Sequence, residues 1–272
     1  MALDTLTNTA EAAQDAIQAR QQPSASQIII EAAKTVLNAL SRGQPITSAH
    51  LSAAMTAAAG ATDAAGAWAW KDAYEAAEVA EVMFLKRFLP TMIKNAKHRG
   101  DTLAMLRKVA NLLPTHTKRS EESVGMQQFS TPPELAHIAA IAAAITPDDV
   151  VLEPSAGTGL LAVHAEAMGS ALMLNELADT RADLLATVFH ETPVTRLNGE
   201  HLDDLLPGDA QPTVVLMNPP FSASPGMAKR SEGADLRHLR SALARLADGG
   251  RLVAITSTGL TPENNAYADA FA

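Results

Sequence analysis

The fold is decided by the stretch Asp149-Val150-Val151-Leu152-Glu153-Pro154-Ser155-Ala156-Gly157-Thr158-Gly159, in which an apolar run meets a glycine-rich turn. The run predicts a buried strand over Asp149–Glu153, and the residues from Gly159 to Met168 predict a helix. Glycine adopts the backbone angles of tight turns, and the first N–H groups of a helix are free to bind a ligand. A strand, a glycine turn and a helix in this order are typical of nucleotide-binding α/β folds.

Strands and helices alternate after this stretch. Further strands are predicted at Ala171–Asn175, Val194–Leu197, Thr213–Met217 and Arg251–Thr256, with helices at Ala178–His190 and Asp235–Ala247. Such alternation implies a parallel, doubly wound sheet that binds ligands at the carboxyl ends of its strands.

The first half of the chain is predicted to be all-helical, because no strand pattern precedes residue 149. Helices are predicted over 4–22, 26–41, Thr47 to Gly60, Asp63 to Leu89 and Asp101 to Leu112. Pro90 is predicted to end or kink the fourth of these helices. The chain therefore divides into a helical domain over 1–118, a linker over 119–128 and an α/β domain over 129–272.

Composition excludes several classes of protein. The 272 residues include no cysteine, which excludes disulfides and cysteine-based zinc sites. The chain shows no signal-peptide pattern and no apolar run of about 18 residues, so it is predicted to be cytoplasmic and not to enter a membrane. The net charge of −9 argues against a generic nucleic-acid binder.

Basic residues nevertheless cluster between Lys86 and Arg119. This segment contains nine lysines and arginines and one acidic residue, so its net charge is +8. A solvated helix face and a phosphate-binding surface are both open interpretations. The candidates for phosphate contacts are Lys94, Lys97, Arg99, Arg107 and Lys108.

An unusual corner, Asn218-Pro219-Pro220-Phe221, follows the fourth predicted strand. The two prolines make a stiff turn, the asparagine presents an amide, and the phenylalanine presents a flat apolar face. Such a corner can hold a planar nitrogen that resembles an amide.

The glycine-rich turn also allows another interpretation. Gly157, Gly159 and Ala162 fit the pattern G-x-G-x-x-A, which is typical of nicotinamide enzymes, and acidic residues follow the first two strands. Glu176 suits the ribose hydroxyls of any nucleotide cofactor. Glu153 stands where a dinucleotide would place its pyrophosphate, and a carboxylate there suits an ammonium group instead. Hydride transfer also has no use for the asparagine–proline corner.

Four motifs stand in order and at consistent spacing: Phe129-Ser130-Thr131-Pro132-Pro133, the Glu153–Gly159 stretch, Glu176 and the Asn218–Phe221 corner. Together they resemble the amino-methylating DNA adenine methyltransferases that use S-adenosylmethionine, over about residues 129–260. The resemblance implies a Rossmann-like class I methyltransferase sheet. The family normally adds two strands beyond the fifth and a target-recognition region, and neither is recognisable here.

The resemblance also implies roles for the matching residues. Phe129 and Thr131 would help to hold the methionine part of the cofactor, and Glu176 its ribose. The amino-acid end of the cofactor would be bound by Glu153, Pro154, Ser155, Ala156, Gly157, Thr158 and Gly159. Glu200 would lie near the cofactor adenine, where Asp is commoner in the family.

The corner itself would hold the substrate. Asn218 and the carbonyl of Pro219 would accept hydrogen bonds from the target amine, Pro220 would keep the turn rigid, and Phe221 would stack on the target base. The resemblance implies DNA as the substrate and no metal.

The whole chain also resembles the N-terminal region of bacterial strawberry-notch-type methyltransferase–helicase proteins, through Ala67-Trp68-Ala69-Trp70-Lys71-Asp72-Ala73-Tyr74-Glu75-Ala76 and Arg119-Ser120-Glu121-Glu122-Ser123. This resemblance implies a helicase region as a partner. RNA adenine and protein glutamine remain alternative substrates, because each presents a planar amine. A non-catalytic module that binds the cofactor or DNA within a larger assembly is an alternative of another class.

Overall fold

The computed structural model describes residues 23–114, 130–220, 233–256, 260, 261, 263 and 264. Phe129, Phe221, the predicted helix over 4–22 and the predicted linker over 119–128 lie outside these residues. The predicted domain boundaries at 118 and 129 also fall there and stay predictions.

Five strands form one parallel sheet in the order β3-β2-β1-β4-β5. They are β1 Val150–Glu153, β2 Ala171–Asn175, β3 Val194–Thr195, β4 Val214–Met217 and β5 Arg251–Ala254. Each lies within a predicted strand, and the strand order is that of the doubly wound, Rossmann-like sheet. The predicted fold class is therefore confirmed.

Nine α-helices lie in the described parts of the chain. They are α1 Ala25–Leu40, α2 Ser48–Ala59, α3 Trp70–Asn95, α4 Arg99–Ala110, α5 Pro133–Ala142, α6 Ala162–Ala167, α7 Asp179–Val188, α8 Leu202–Leu205 and α9 Ala234–Arg245. None of these helices has an apolar stretch long enough to cross a membrane.

Helices cover both faces of the sheet, because buried parallel strands are apolar on both sides. On one face, Val151 and Leu216 pack against α5 and α6. On the other face, Leu152 and Val215 pack against α8 and α9. The alternation of side chains along each strand therefore places the helices in two layers, one on each side.

The predicted start of α3 at Asp63 is wrong. Asp63–Ala65 is a separate 3₁₀ turn that ends at Gly66, whose φ of 75° is left-handed and breaks the helix. Pro90 is also not the end of α3, which continues to Asn95. The burial of Leu85 and Leu89 outweighs the missing hydrogen bond at the proline, which costs about 3 kcal/mol in a helix interior.

The helical first half and the sheet half share one apolar core. Val79 and Val82 of α3 belong to the same buried cluster as Val163 of α6 and Leu184 of α7. Lys86 of α3 pairs with Glu166 at 2.6 Å and lies 4.0 Å above the Phe189 ring. The helices of the first half therefore form a third layer, on the outer side of α6 and α7.

Three glutamates, Glu75, Glu78 and Glu81, lie on the buried face of α3. Glu81 is 6% exposed, and its Oε1 has no hydrogen-bond partner among the described residues. Burial raises the pKa of Glu81 to about 8, and the nearby carboxylates of Glu78 and Glu134 add to this rise. Glu81 is therefore mostly protonated at neutral pH.

Glu81→Gln is expected to stabilise the protein at alkaline pH. The folded-state pKa of Glu81 is raised, so its contribution to stability is present below about pH 4.5 and is lost as the pH rises through about 8. Glutamine keeps the shape of the protonated acid and does not titrate. The gain is expected to be small near pH 5 and on the order of 3 kcal/mol near pH 9, measured by urea unfolding.

The matched control for this substitution is Glu191→Gln, which removes the same charge from a side chain that is 90% exposed. The control is expected to leave stability nearly unchanged at both pH values. Equal stability of Glu81→Gln and wild type at pH 9 would contradict the assigned burial of a protonated carboxyl.

Candidate functional site

The side chain of Asn175 ties together the carboxyl ends of β1, β2 and β3. This residue is 1% exposed and ends β2. Its Nδ2 donates to the carbonyls of Pro154 and Leu197, both at 2.9 Å. Its Oδ1 accepts from Thr195 Oγ1 and from the N–H of Leu197, both at 2.8 Å. The loop after β1 is thereby fixed against the segment after β3.

The glycine loop runs from Pro154 to Gly159 and depends on two left-handed residues. Gly157 has φ of 57° and Gly159 has φ of 99°. The second angle explains why α6 begins at Ala162 and not at the predicted Gly159, since left-handed backbone cannot start a helix. The N–H of Ala156 donates to the carbonyl of Asn175 at 2.9 Å, which anchors the middle of the loop.

Glu176 is held close beneath this loop. Its Oε2 accepts the N–H of Gly157 at 2.8 Å, and its Oε1 accepts the N–H of Ala178 at 2.9 Å. A carboxylate can accept about four hydrogen bonds, so each oxygen keeps room for another donor. The predicted ribose-binding acid therefore lies against the predicted cofactor loop.

Glu153 lies at the end of β1 and is 3% exposed. The backbone N–H of Ala162 donates to its carboxyl group, while Oε2 has no partner among the described residues. Burial raises the pKa of Glu153 well above its usual range, and the Glu176 carboxylate raises it further. A buried acid with an unused oxygen fits a positively charged group, so the residues present are suited to the ammonium end of S-adenosylmethionine.

The asparagine–proline corner meets the segment that precedes α5. Asn218 Nδ2 donates to Thr131 Oγ1 at 2.9 Å, across 87 residues of sequence. The Oδ1 of Asn218 makes no hydrogen bond to a described residue. The amide is thereby oriented with its nitrogen towards Thr131. Pro219 is buried and Pro220 is half-buried beside it.

Glu200 lies in the 3₁₀ turn Gly199–His201, after β3. Its Oε1 accepts from Arg237 Nη2 at 3.1 Å and lies 3.9 Å from His238 Nδ1. The carboxylate is therefore held against α9. Its predicted place beside an adenine stays a prediction.

No sequence pattern predicted that Arg181, Glu75 and Glu78 would lie beside the glycine loop. Arg181 of α7 pairs with Glu75 and Glu78 of α3 at 3.2 Å each. Thr158 Oγ1 of the glycine loop donates to Glu78 Oε2 at 3.3 Å. The partners lie 80 or more positions apart. No local pattern could have paired them, although acids at i, i+3 spacing share one face of a helix.

The predicted phosphate-binding residues lie in the last turn of α3, in the segment after it and on α4. Lys94, Lys97, Arg107 and Lys108 are all exposed, and the side chain of Arg99 is outside the described part of the structure. Arg107 Nε lies 3.5 Å from Glu134 Oε1, in the first turn of α5. Lys86 does not belong to this surface, because it pairs with Glu166.

No group of three or more histidine, aspartate or glutamate side chains in the described ranges is placed to hold a metal ion.

Comparisons with known proteins give partial likenesses to solved structures. No protein-family model matches the chain, and no curated protein matches it. TrmN from Thermus thermophilus is 26% identical over 48% of this chain and 40% of its own length, with a TM-score of 0.40. The chain thus spans less than half of that protein.

Two other solved structures are also similar. A candidate RNA methyltransferase from Pyrococcus horikoshii is 22% identical over 64% of this chain and 81% of its own, with a TM-score of 0.43. A type I restriction-modification methyltransferase subunit from Streptococcus thermophilus is 16% identical over 87% of this chain and 67% of its own, with a TM-score of 0.40.

Gly159→Ala is expected to destabilise the protein by about 3 kcal/mol, measured by urea unfolding. A Cβ at Gly159 would overlap the ring of Phe189 and approach Leu185 Cδ1 to 3.0 Å, and φ of 99° is unfavourable for alanine. The control is Gly208→Ala, where a Cβ would meet nothing within 4 Å. Similar stabilities of the two variants would contradict this loop geometry.

Proposed function

We propose that the chain binds S-adenosylmethionine and transfers its methyl group to the exocyclic amino group of adenine in DNA. The observation that carries the proposal is the hydrogen bond from Asn218 to Thr131. This bond joins Asn218 of the proposed amine-binding corner to Thr131, in the segment proposed to hold the methyl donor. Both are expected at the carboxyl edge of the sheet, where the glycine loop and Glu176 also lie.

The proposed cofactor site consists of the Glu153–Gly159 stretch together with Glu176, Glu200, Thr131 and Phe129. Glu153 binds the ammonium group, which its unused and buried Oε2 supports. Glu176 binds the ribose hydroxyls, and Glu200 binds the adenine amine. The left-handed glycines let the loop backbone approach the ligand closely. Thr131 and Phe129 hold the methionine part from the other side.

The proposed chemistry needs an acceptor at each hydrogen of the amine. When bound, the cofactor supplies an electrophilic methyl group on a positively charged sulfur. The lone pair of the adenine amine is delocalised into the ring, so the amine is a poor nucleophile. Asn218 Oδ1 and the carbonyl of Pro219 accept its two hydrogens, which favours a pyramidal nitrogen and stabilises the developing positive charge.

The amine attacks the methyl carbon as the carbon–sulfur bond breaks, and the electron pair of that bond stays on sulfur. The nitrogen then loses a proton to solvent. Pro220 keeps the corner rigid, and Phe221 stacks on the base, which replaces the neighbours lost when a base leaves a duplex. Correct alignment of the two reacting atoms supplies much of the remaining acceleration.

DNA is the proposed substrate because the Phe129–Pro133 segment resembles the DNA enzymes. The corner alone also fits RNA adenine and protein glutamine. A helicase region is proposed as the partner, as the strawberry-notch resemblance implies. A module that binds the cofactor without turnover is an outcome that the following experiment separates.

Asn218→Ala is expected to lower methyl transfer by about 100-fold and to leave cofactor affinity unchanged, because the lost acceptor acts on the amine. The measurement uses labelled S-adenosylmethionine with DNA, RNA and protein pools, alongside calorimetric titration of the cofactor. Asn95→Ala, at the exposed end of α3, is the control. Labelling of RNA or of protein glutamine, without labelling of DNA, would show that DNA is not the substrate. Cofactor binding without labelling would favour the non-catalytic module, and no cofactor binding would refute the proposal.

The exposed lysines Lys94, Lys97 and Lys108, with Arg99 and Arg107, are proposed to contact DNA phosphates. Arg107 approaches Glu134, three residues beyond Thr131, and Thr131 contacts Asn218. These contacts bring Arg107 close to the amine-binding corner and support a shared DNA surface.

Substitution of Lys94, Lys97 and Lys108 by alanine is expected to weaken DNA binding and to reduce its salt dependence. Each lost phosphate contact lowers the slope of log K against log salt by about 0.9 for duplex DNA. The control is Lys34→Ala, an exposed lysine paired with Glu31 on α1. An unchanged slope in the triple variant would show that these lysines form only a solvated face.

A further inference from the structure

Arg181 is a buried arginine that two acids hold in place. It lies in the first turn of α7 and is 7% exposed. Its Nε donates to Glu75 Oε1 and its Nη2 donates to Glu78 Oε2, each at 3.2 Å. Both acids belong to α3, in the helical first half. The guanidinium plane is therefore fixed from one side by two charge-assisted bonds.

The third nitrogen of this guanidinium faces the glycine loop. Nη1 lies 3.3 Å from the position that a Cβ on Gly157 would occupy. It makes no hydrogen bond to a described residue. A guanidinium keeps its charge at any physiological pH. Nη1 is not among the fully buried atoms that lack a partner, so an acceptor that a ligand brings to the glycine loop can reach this donor.

The charges around the loop show which acceptor fits. Glu153 offers an unused oxygen that suits an ammonium group, and Glu176 lies under Gly157. Neither acid supplies the positive charge that a carboxylate needs. An amino-acid end carries both an ammonium and a carboxylate, so its binding requires a cation as well as an anion. Arg181 is the cationic side chain that packs against the loop in the described part of the chain.

We propose that Arg181 Nη1 binds the carboxylate of the methionine part of S-adenosylmethionine, and that Glu75 and Glu78 of α3 hold the guanidinium in position. This assignment rests on the proposed function, since it presumes that the glycine loop binds this cofactor. It makes the helical first half a part of the cofactor site.

The first test compares two ligands that differ only in this carboxylate. Calorimetric titration of the full chain measures the affinity for S-adenosylmethionine and for decarboxylated S-adenosylmethionine. A charge-assisted bond from a buried arginine is expected to favour the carboxylated ligand by about tenfold or more. Equal or tighter binding of the decarboxylated ligand would overturn the assignment. Binding of neither ligand would refute the proposed function, and the assignment would fall with it.

The second test removes the cation. Arg181→Met alone leaves two buried acids unpaired and is expected to fold poorly, so the main variant combines Arg181→Met with Glu75→Gln and Glu78→Gln. Its folding is checked by circular dichroism and urea unfolding. It is expected to bind both ligands with similar affinity, so that the preference for the carboxylate disappears.

Arg181→Lys distinguishes the bond from the charge. Lysine keeps the positive charge but cannot hold two glutamates and a third acceptor in one plane, so the preference is expected to fall but not to vanish. If the neutral triple variant keeps the full preference, whether or not both affinities fall by a common factor, Arg181 only shapes the loop and the assignment is wrong.

Discussion

The ends of β1, β2 and β3, which carry the glycine loop, depend on the side-chain amide of Asn175. An amide has two donors and one oxygen with two lone pairs, and here all of them are used. The bonds join the loop after β1, the end of β2 and the segment after β3 at one buried point. Loss of the amide would leave backbone carbonyls and an N–H unsatisfied, which is more costly than the loss of the bonds themselves. This part of the carboxyl edge of the sheet is therefore held in place by the protein itself.

The glycine loop is positioned from two directions. From the sheet, Glu176 holds the N–H of Gly157. From the helical half, Glu78 of α3 accepts the hydroxyl of Thr158 and pairs with Arg181. These contacts are buried, where electrostatic interactions are stronger than in water and errors of pairing are more costly. The helices before the sheet therefore contribute to the site, because Glu78 of α3 contacts the glycine loop.

Much of the fold could be predicted from the sequence because the signals are local. Buried parallel strands appear as continuous apolar runs, and all five were found. The glycine loop and the asparagine–proline corner can be recognised from their residue types alone. The two wrong helix starts also have local causes. The left-handed backbone of Gly66 separates Asp63–Ala65 from α3, and that of Gly159 moves the start of α6 to Ala162. The pairing of Arg181 with Glu75 could not be predicted, since 106 positions separate the two residues.

The shared core of α3, α6 and α7 also has a consequence for how the chain folds. Ile29 and Leu51 from the first half lie in the same cluster as Leu184 and Phe189. During synthesis α1, α2 and α3 can pack on one another, but the part of their apolar surface that contacts α6 and α7 stays in water until about residue 190 has emerged. Contacts of such long sequence separation form slowly, and uncovered apolar surface favours aggregation in the meantime. A chaperone would therefore protect this chain from aggregation most while only its first half has been synthesised.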